Sequence, residues 1–213
     1  MPPGPVVNRY FSLGLNFAVV VFSLWLHDKF RVGIARRLGD PDAAVRQRSP
    51  ENPFARVDWI GSVLLPLFLL WRGLPVLGWV KPLEPKFESL RRPGRDGLAI
   101  TLAGPAANLL LASAGIGLVW GLKKAGLSPS SWPVGFLISF CLINSSLGVF
   151  NLLPIPPLAG GAAAELYLSG DALAAFIDIK PFGFILLLAG AVFNFFDFLT
   201  LPLERLVLAA LGF

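Results

Sequence analysis

The stretch at residues 11–41, FSLGLNFAVVVFSLWLHDKFRVGIARRLGDP, predicts one long helix that begins inside a membrane and ends outside it. Residues 10–26 carry no charge, and seventeen helical residues rise about 26 Å, which nearly crosses a bilayer core of ~30 Å. His27 and Asp28 therefore lie near one membrane face. A histidine followed by an acid on a helix is typical of the zinc motif H-E-x-x-H, but the residue four positions after His27 is Arg31.

The composition of the chain is that of an integral membrane protein. Of its 213 residues, 55% are hydrophobic, and the stretches 10–26, 97–122 and 125–164 carry no charge. Because about 20 apolar residues of helix cross a bilayer core, we expect an all-α polytopic membrane protein, with residues 1–213 forming one transmembrane domain. The net charge of +5 lies in loops, where it contacts lipid headgroups. We find no nucleic-acid-binding motif, so the lipid bilayer is the expected partner.

Shorter apolar stretches predict two further elements between the spans. Residues 60–71 are too few to cross a bilayer and include Pro66, which favours a re-entrant segment buried in protein. The alternating residues of GWVKPLEP at 78–85 predict a small strand-like element, which its prolines confine to a sheet edge. The remaining apolar stretches predict four membrane spans, near residues 10–38, 97–122, 132–153 and 181–201.

The basic residues predict an orientation in the membrane. The segment 28–59 contains seven Lys and Arg residues, and the segment 72–96 contains six. If residues 60–71 turn back within the membrane, both segments face the cytoplasm, as the positive-inside rule favours. We therefore expect His27 to lie toward the cytoplasmic side of a bacterial inner membrane.

Several motifs follow the first helix in the order in which one known family carries them. The chain resembles the site-2 protease family of intramembrane zinc metalloproteases, in its small bacterial form. That family carries H-E-x-x-H, G-D-P, N-P-x-x-H-x-D, G-W-x-K-P, A-G-P-x-x-N and N-L-x-P-x-P-x-L-D-G. The resemblance implies a site-2 protease-like transmembrane core. The matching residues are Gly39-Asp40-Pro41, Asn52-Pro53 with Asp58, Gly78-Trp79 with Lys81-Pro82, Ala103-Gly104-Pro105 with Asn108, and Asn151-Leu152 with Gly160.

The sequence departs from the family pattern at the residues that, by resemblance, should bind zinc and act as the general base. In the family, two His and one Asp hold zinc, and the Glu is the general base. Their matches here are His27 and Arg31 for the two His, Ala159 for the Asp and Asp28 for the Glu, while Arg56 replaces the His of N-P-x-x-H-x-D. A catalytic zinc needs three protein ligands, a guanidinium offers only donors, and alanine has no ligand atom. We therefore expect no intact catalytic site and no metal site.

Two interpretations of Arg31 stay open at this stage. Its guanidinium can extend along the helix to the lipid headgroups. Alternatively, it supplies the positive charge that a metal supplies in the family and pairs with Asp28 or Asp58, because a buried charge requires a partner.

Three other motif residues are candidates for holding a peptide or a partner. The resemblance implies that Asn108 and Asn151 help to hold a substrate peptide, and Trp79 belongs to the G-W-x-K-P stretch. Asparagines within apolar helices, including Asn144, are also expected to form hydrogen bonds between helices.

These observations favour a proteolytically inactive homologue. We expect it to act as a structural or binding subunit of a larger membrane assembly, with integral membrane proteins as partners and no cofactor. The alternative is an active intramembrane metalloprotease with a non-standard zinc site, for which Asp28 and Asp58 are the only plausible oxygen ligands. A transporter is disfavoured because the sequence shows no inverted repeat.

Overall fold

A computed structural model describes residues 5–40, 57–81 and 90–212 of the chain, and this part is predominantly helical. Most of the described residues are helical, and none of them forms a strand. Four helical segments are long and apolar enough to cross a membrane, which confirms the prediction of an all-α, multi-pass membrane protein. They are Phe11–Arg37, Pro93–Lys124, Trp132–Phe150 and Gly170–Val192.

Three long helices form the centre of the fold. Helix α1 spans Pro5–Arg37, and its 33 residues correspond to about 50 Å. A short helix, α2, follows at Leu65–Arg72. Helix α3 spans Pro93–Lys124 and helix α4 spans Trp132–Phe150. Helix α3 packs against both α1 and α4, so side chains from all three long helices meet along its length.

The short apolar segment that contains α2 begins with a π-helical turn at Trp59–Leu64. The Asp58 carboxylate caps this turn by accepting from two backbone amides. Pro66 does not break the segment: it lies in the first turn of α2, and the helix continues through it to Arg72. The fourteen residues from Trp59 to Arg72 rise about 21 Å. The re-entrant course predicted for this segment stays a prediction.

The chain after α2 has no regular secondary structure from residue 74 to residue 81, so residues 78–81 do not form the predicted strand. Individual hydrogen bonds attach this segment to the rest of the protein. The Trp79 amide donates to the Gly61 carbonyl at 3.1 Å, and the Ser146 hydroxyl donates to the Val76 carbonyl at 2.8 Å. Alternating residues predicted a strand, but no neighbouring strand lies beside the described residues of this segment. The second half of that prediction, residues 82–85, lies outside the described residues.

The last third of the chain forms shorter helices, and their bounds differ from the single helix predicted at 181–201. Asn194 adopts a positive φ of 56°, a conformation that asparagine tolerates better than most residues, and the chain turns there. Because apolar residues lie on both sides of this turn, hydropathy alone did not indicate it. The helices are α5 Ala159–Glu165, α6 Gly170–Ile179, a 3₁₀ turn Lys180–Phe182, α7 Gly183–Val192 and α8 Asp197–Ala210.

Candidate functional site

A chain of hydrogen bonds joins the three central helices around His27. The imidazole Nδ1 of His27 donates to Oδ1 of Asn108 at 2.7 Å. The Asn108 amide donates to Oδ1 of Asn144 at 3.2 Å, and the Asn144 amide donates to the Phe140 carbonyl at 3.0 Å. His27 and both asparagines are fully buried. This confirms that Asn108 and Asn144 form hydrogen bonds between helices, and it fixes the orientation of the imidazole.

The other side of the imidazole lies against the backbone of α3. A Cβ built on Gly104 would collide with the ring of His27, with Nε2 among the nearest atoms. Glycine at this position therefore provides the space that the ring occupies. With Nδ1 acting as the donor to Asn108, Nε2 is the ring nitrogen that retains a lone pair. The Ala-Gly-Pro motif thus has a local role, which is to let α1 and α3 approach each other at His27.

Two charged side chains lie next to His27 on α1. Asp28 is 7% exposed and Arg31 is 5% exposed. Arg31 follows His27 by four residues, so both lie on the same face of the helix, one turn apart. The position that would carry a second imidazole therefore carries a buried cation.

Asp58, one of the two predicted partners of Arg31, has a different role. Its Oδ1 accepts from the amides of Ile60 at 3.0 Å and Gly61 at 2.9 Å, and among the described residues it forms no ion pair. The predicted pairing of Arg31 with Asp58 is therefore wrong, because the carboxylate is used as a helix cap. The pairing of Arg31 with Asp28 stays a prediction.

Asp28 also lines an apolar cleft between α1 and the turn at Trp59–Leu64. The cleft has a volume of about 670 Å³, and Asp28 is the only charged residue among the described residues that line it. Its walls come from apolar side chains such as Phe17, Val21 and Val63. Apart from Asp28 and the hydroxyl of Ser62, the described lining of the cleft is apolar.

The third metal-ligand position of the motif carries no ligand atom. Ala159 is buried at the first position of α5, and this short helix packs against α3. The amide of Gly160 donates to the Asn151 carbonyl at 2.7 Å, which holds the start of α5 near the end of α4. Within the described ranges, no three His, Cys, Asp or Glu side chains come close enough together to hold a metal ion.

Asn151 is used for attachment inside the protein. Its amide donates to the Gly78 carbonyl at 2.9 Å and to the Leu147 carbonyl at 2.8 Å, and the side chain is 1% exposed. It thereby ties the segment 74–81 to the end of α4. Both N–H groups of the side chain thus have acceptors inside the protein; the predicted binding role stays a prediction.

Trp79 is a core residue in this structure. Its side chain is 3% exposed, and its ring lies edge-on to Phe184 with 6.1 Å between centroids. The ring fills the space over Gly61, where a Cβ would collide with it. Trp79 therefore holds the segment 74–81 against the π-helical turn. Its predicted contact with a partner requires this segment to move.

Sequence reasoning predicted an interhelical hydrogen bond for Asn144 but not its partner, and it gave no packing or acceptor role to Gly104 or Gly78. The roles of Asn144 as the acceptor for Asn108, of Gly104 as the surface for the imidazole and of Gly78 as the acceptor for Asn151 appear only in the structure. The available signal was their residue type, since a buried amide or a glycine in an apolar helix usually has a packing reason. The predicted motif residues Pro41, Asn52, Pro53, Arg56 and Pro82 lie outside the described residues.

Comparison with known proteins gives relatives that share most of this chain. It is 28% identical to "Putative zinc metalloprotease YwhC" of Bacillus subtilis over 186 residues, which is 84% of this chain and 82% of that protein. It is 30% identical to "Putative zinc metalloprotease Rip2" of Mycolicibacterium smegmatis and 32% identical to that of Mycobacterium tuberculosis, each over 170 residues. These two matches cover 78% of this chain and 62% of either Rip2 protein. No protein-family model matches the chain, and no solved structure matches it either.

Proposed function

This chain belongs to the site-2 protease family, and we propose that it is a proteolytically inactive member that serves as a binding subunit of a larger membrane protein assembly. The observation that carries this proposal is the buried guanidinium of Arg31, one helical turn from His27. A cation at that position repels a divalent metal ion, and its donors cannot act as ligands.

The donor set around His27 does not fit the zinc site of the family. The chain has one histidine in total, Arg31 takes the place of the second, and the buried Ala159 takes the place of the aspartate. A catalytic zinc requires three protein ligands and one open position. With one of three ligands retained, the chain has no means of activating water by the route that the family uses.

The apolar cleft beside Asp28 supports a binding role. It has a volume of about 670 Å³, and the Asp28 carboxylate is the only charged group among the described residues that line it. We propose that it holds an apolar membrane segment of a partner protein without cutting it. Hydrolysis is not needed for such a function, because the attraction comes from packing of the partner segment against the apolar walls of the cleft.

One observation favours the alternative, an active protease with a non-standard metal site. His27 donates from Nδ1 to Asn108, which leaves Nε2 as the nitrogen with a lone pair, as in histidines that bind metals. Three relatives also carry the name zinc metalloprotease. Against this alternative, the Asp58 carboxylate already accepts two backbone amides, so Asp28 is the remaining acidic candidate.

For the orientation of the site we propose the cytoplasmic side of the cell membrane. The end of α1 and the start of α3 carry Arg36, Arg37, Arg91, Arg92 and Arg95. An excess of basic residues at one end of adjacent spans favours the cytoplasmic face.

Metal analysis of the purified protein tests the proposal. We expect substoichiometric zinc after purification in the presence of zinc, with no difference between the wild-type protein and His27→Ala. One zinc ion per chain that His27→Ala removes would overturn the proposal and support the active protease.

Site-specific photo-crosslinking tests the binding role. A photoreactive residue at Val21, which lines the cleft, should crosslink to a membrane protein in native membranes. The matched position is Leu110, which is 63% exposed on α3 and should crosslink mainly to lipid. Equal crosslinking patterns from both positions would contradict a partner in the cleft.

A further inference from the structure

A pocket rich in arginine lies where α1 ends and α3 begins. Its volume is about 340 Å³, and its lining includes four arginines with exposed side chains, one from the end of α1, two directly before α3 and one in the first turn of α3. They are Arg37, Arg91, Arg92 and Arg95. Two chain segments that are far apart in sequence thus form one cluster of positive charge.

Among the described residues, little negative charge offsets these arginines. The only acid in the described lining is Asp96, which is 9% exposed and whose Oδ2 accepts from the backbone amide of Arg92 at 3.0 Å. Among the described residues, none of the four guanidinium groups forms an ion pair. The four guanidinium groups therefore have no carboxylate partner among the described residues.

The position of the pocket along the helices is that of a membrane interface. The stretch 97–122 of α3 carries no charge and begins directly after Arg95 and Asp96. Since apolar spans end where the hydrocarbon ends, the guanidinium groups lie at the level of the lipid headgroups.

A second cavity lies next to α1, and its described lining comes from that helix alone. It has a volume of about 540 Å³, shares Arg37 with the first pocket, and is lined by the apolar side chains of Phe30 and Ile34 as well as by Lys29 and Arg36. An occupant that reaches both cavities needs an anionic part and an apolar part. A free phosphate ion has only the first of these.

We propose that the arginine pocket binds the headgroup phosphate of an anionic phospholipid, with an acyl chain lying along Phe30 and Ile34. Guanidinium groups form two parallel hydrogen bonds to phosphate oxygens, and the arginines around this cavity match a phosphodiester. Basic pockets between membrane helices bind anionic lipid headgroups by the same chemistry. This site does not depend on whether the protein hydrolyses peptides.

Titration of the purified full-length protein in detergent with short-chain phosphatidylglycerol, followed by native mass spectrometry, tests the proposal. The variant Arg91→Gln/Arg92→Gln/Arg95→Gln should bind this lipid roughly tenfold more weakly than wild type. The matched control, Arg72→Gln/Lys124→Gln/Arg205→Gln, removes the same charge elsewhere and should bind as wild type does. If the triple pocket variant does not fold, Arg95→Gln alone replaces it, and a smaller loss in the same direction is expected.

Three results would overturn the proposal. The first is equal loss of binding in the pocket variant and the control, which would indicate attraction by overall charge. The second is equal affinity for phosphatidylglycerol and short-chain phosphatidylcholine. The third is displacement of the lipid by an equal concentration of inorganic phosphate, which would assign the pocket to a free anion instead of a lipid.

Discussion

The imidazole Nδ1 of His27 lies 2.7 Å from Oδ1 of Asn108, a residue 81 positions later in the chain. This bond crosses from α1 to α3, and Asn108 extends the connection to Asn144 on α4. One asparagine therefore joins the helix that carries the motif histidine to the two other central helices. The result is an oriented histidine at a position where the other ligands of the family are replaced.

We expect Asn108→Ala to lower the free energy of unfolding by about 1–2 kcal/mol, because it removes two buried hydrogen bonds and leaves His27 and Asn144 without that partner. Reversible unfolding in mixed micelles measures this. The matched control is Ser113→Ala on the same helix, whose hydroxyl donates to the Leu109 carbonyl of its own helix. A loss no larger than that of the control would show that the network does not stabilise the fold.

Gly104→Ala should destabilise the protein by about 1–3 kcal/mol, because the added methyl group enters the space of the His27 ring. The control is Gly117→Ala, also on α3, where no atom of another helix lies within 4 Å of an added Cβ. Alanine there should be neutral or slightly stabilising, because alanine has a higher helix propensity than glycine. Thermal unfolding of the two variants side by side measures the difference. Equal melting temperatures would mean that α1 and α3 do not approach at His27.

A double-mutant cycle tests the pairing of Arg31 with Asp28. If these two buried groups interact, the effects of Arg31→Ala and Asp28→Ala should be non-additive by about 1 kcal/mol or more. The exposed pair of Lys180 and Glu165, which are 2.8 Å apart, is the control and should couple by less than about 1 kcal/mol. Additivity at Arg31 and Asp28 would show that these two buried groups do not interact.

Restoring the ligands should restore zinc binding if only ligands were lost. The variant Asp28→Glu/Arg31→His/Ala159→Asp is expected to bind about one zinc ion per chain, which follows from three ligands around an oriented His27. The same variant with His27→Ala should bind none. A folded triple variant without zinc would show that the surrounding structure has also changed, so that replacing side chains is not sufficient.

The sequence predicted the bounds of the first three membrane spans more accurately than the rest of the fold. Stretches without charge predicted the first three long helices to within about five residues at either end, because hydrophobic length in a membrane is a local property. The helix predicted at 181–201 was wrong in its bounds, since the turn at Asn194 lies within continuous apolar sequence. The strand-like element also differed, because a strand requires a neighbour that no local pattern reports.

At the site, the identity of the residues at the motif positions came from the sequence alone: one histidine, Arg31 at the fourth position after it, and alanine at 159. Those identities determine which atoms can act as ligands, whatever the fold. Only the tertiary structure decided that His27 donates to Asn108, that its ring rests on Gly104, and that Asp58 caps a helix. Such pairings depend on how helices distant in sequence cross each other, because a hydrogen bond needs its two atoms within about 3 Å, and residue order along one helix carries no information about the other.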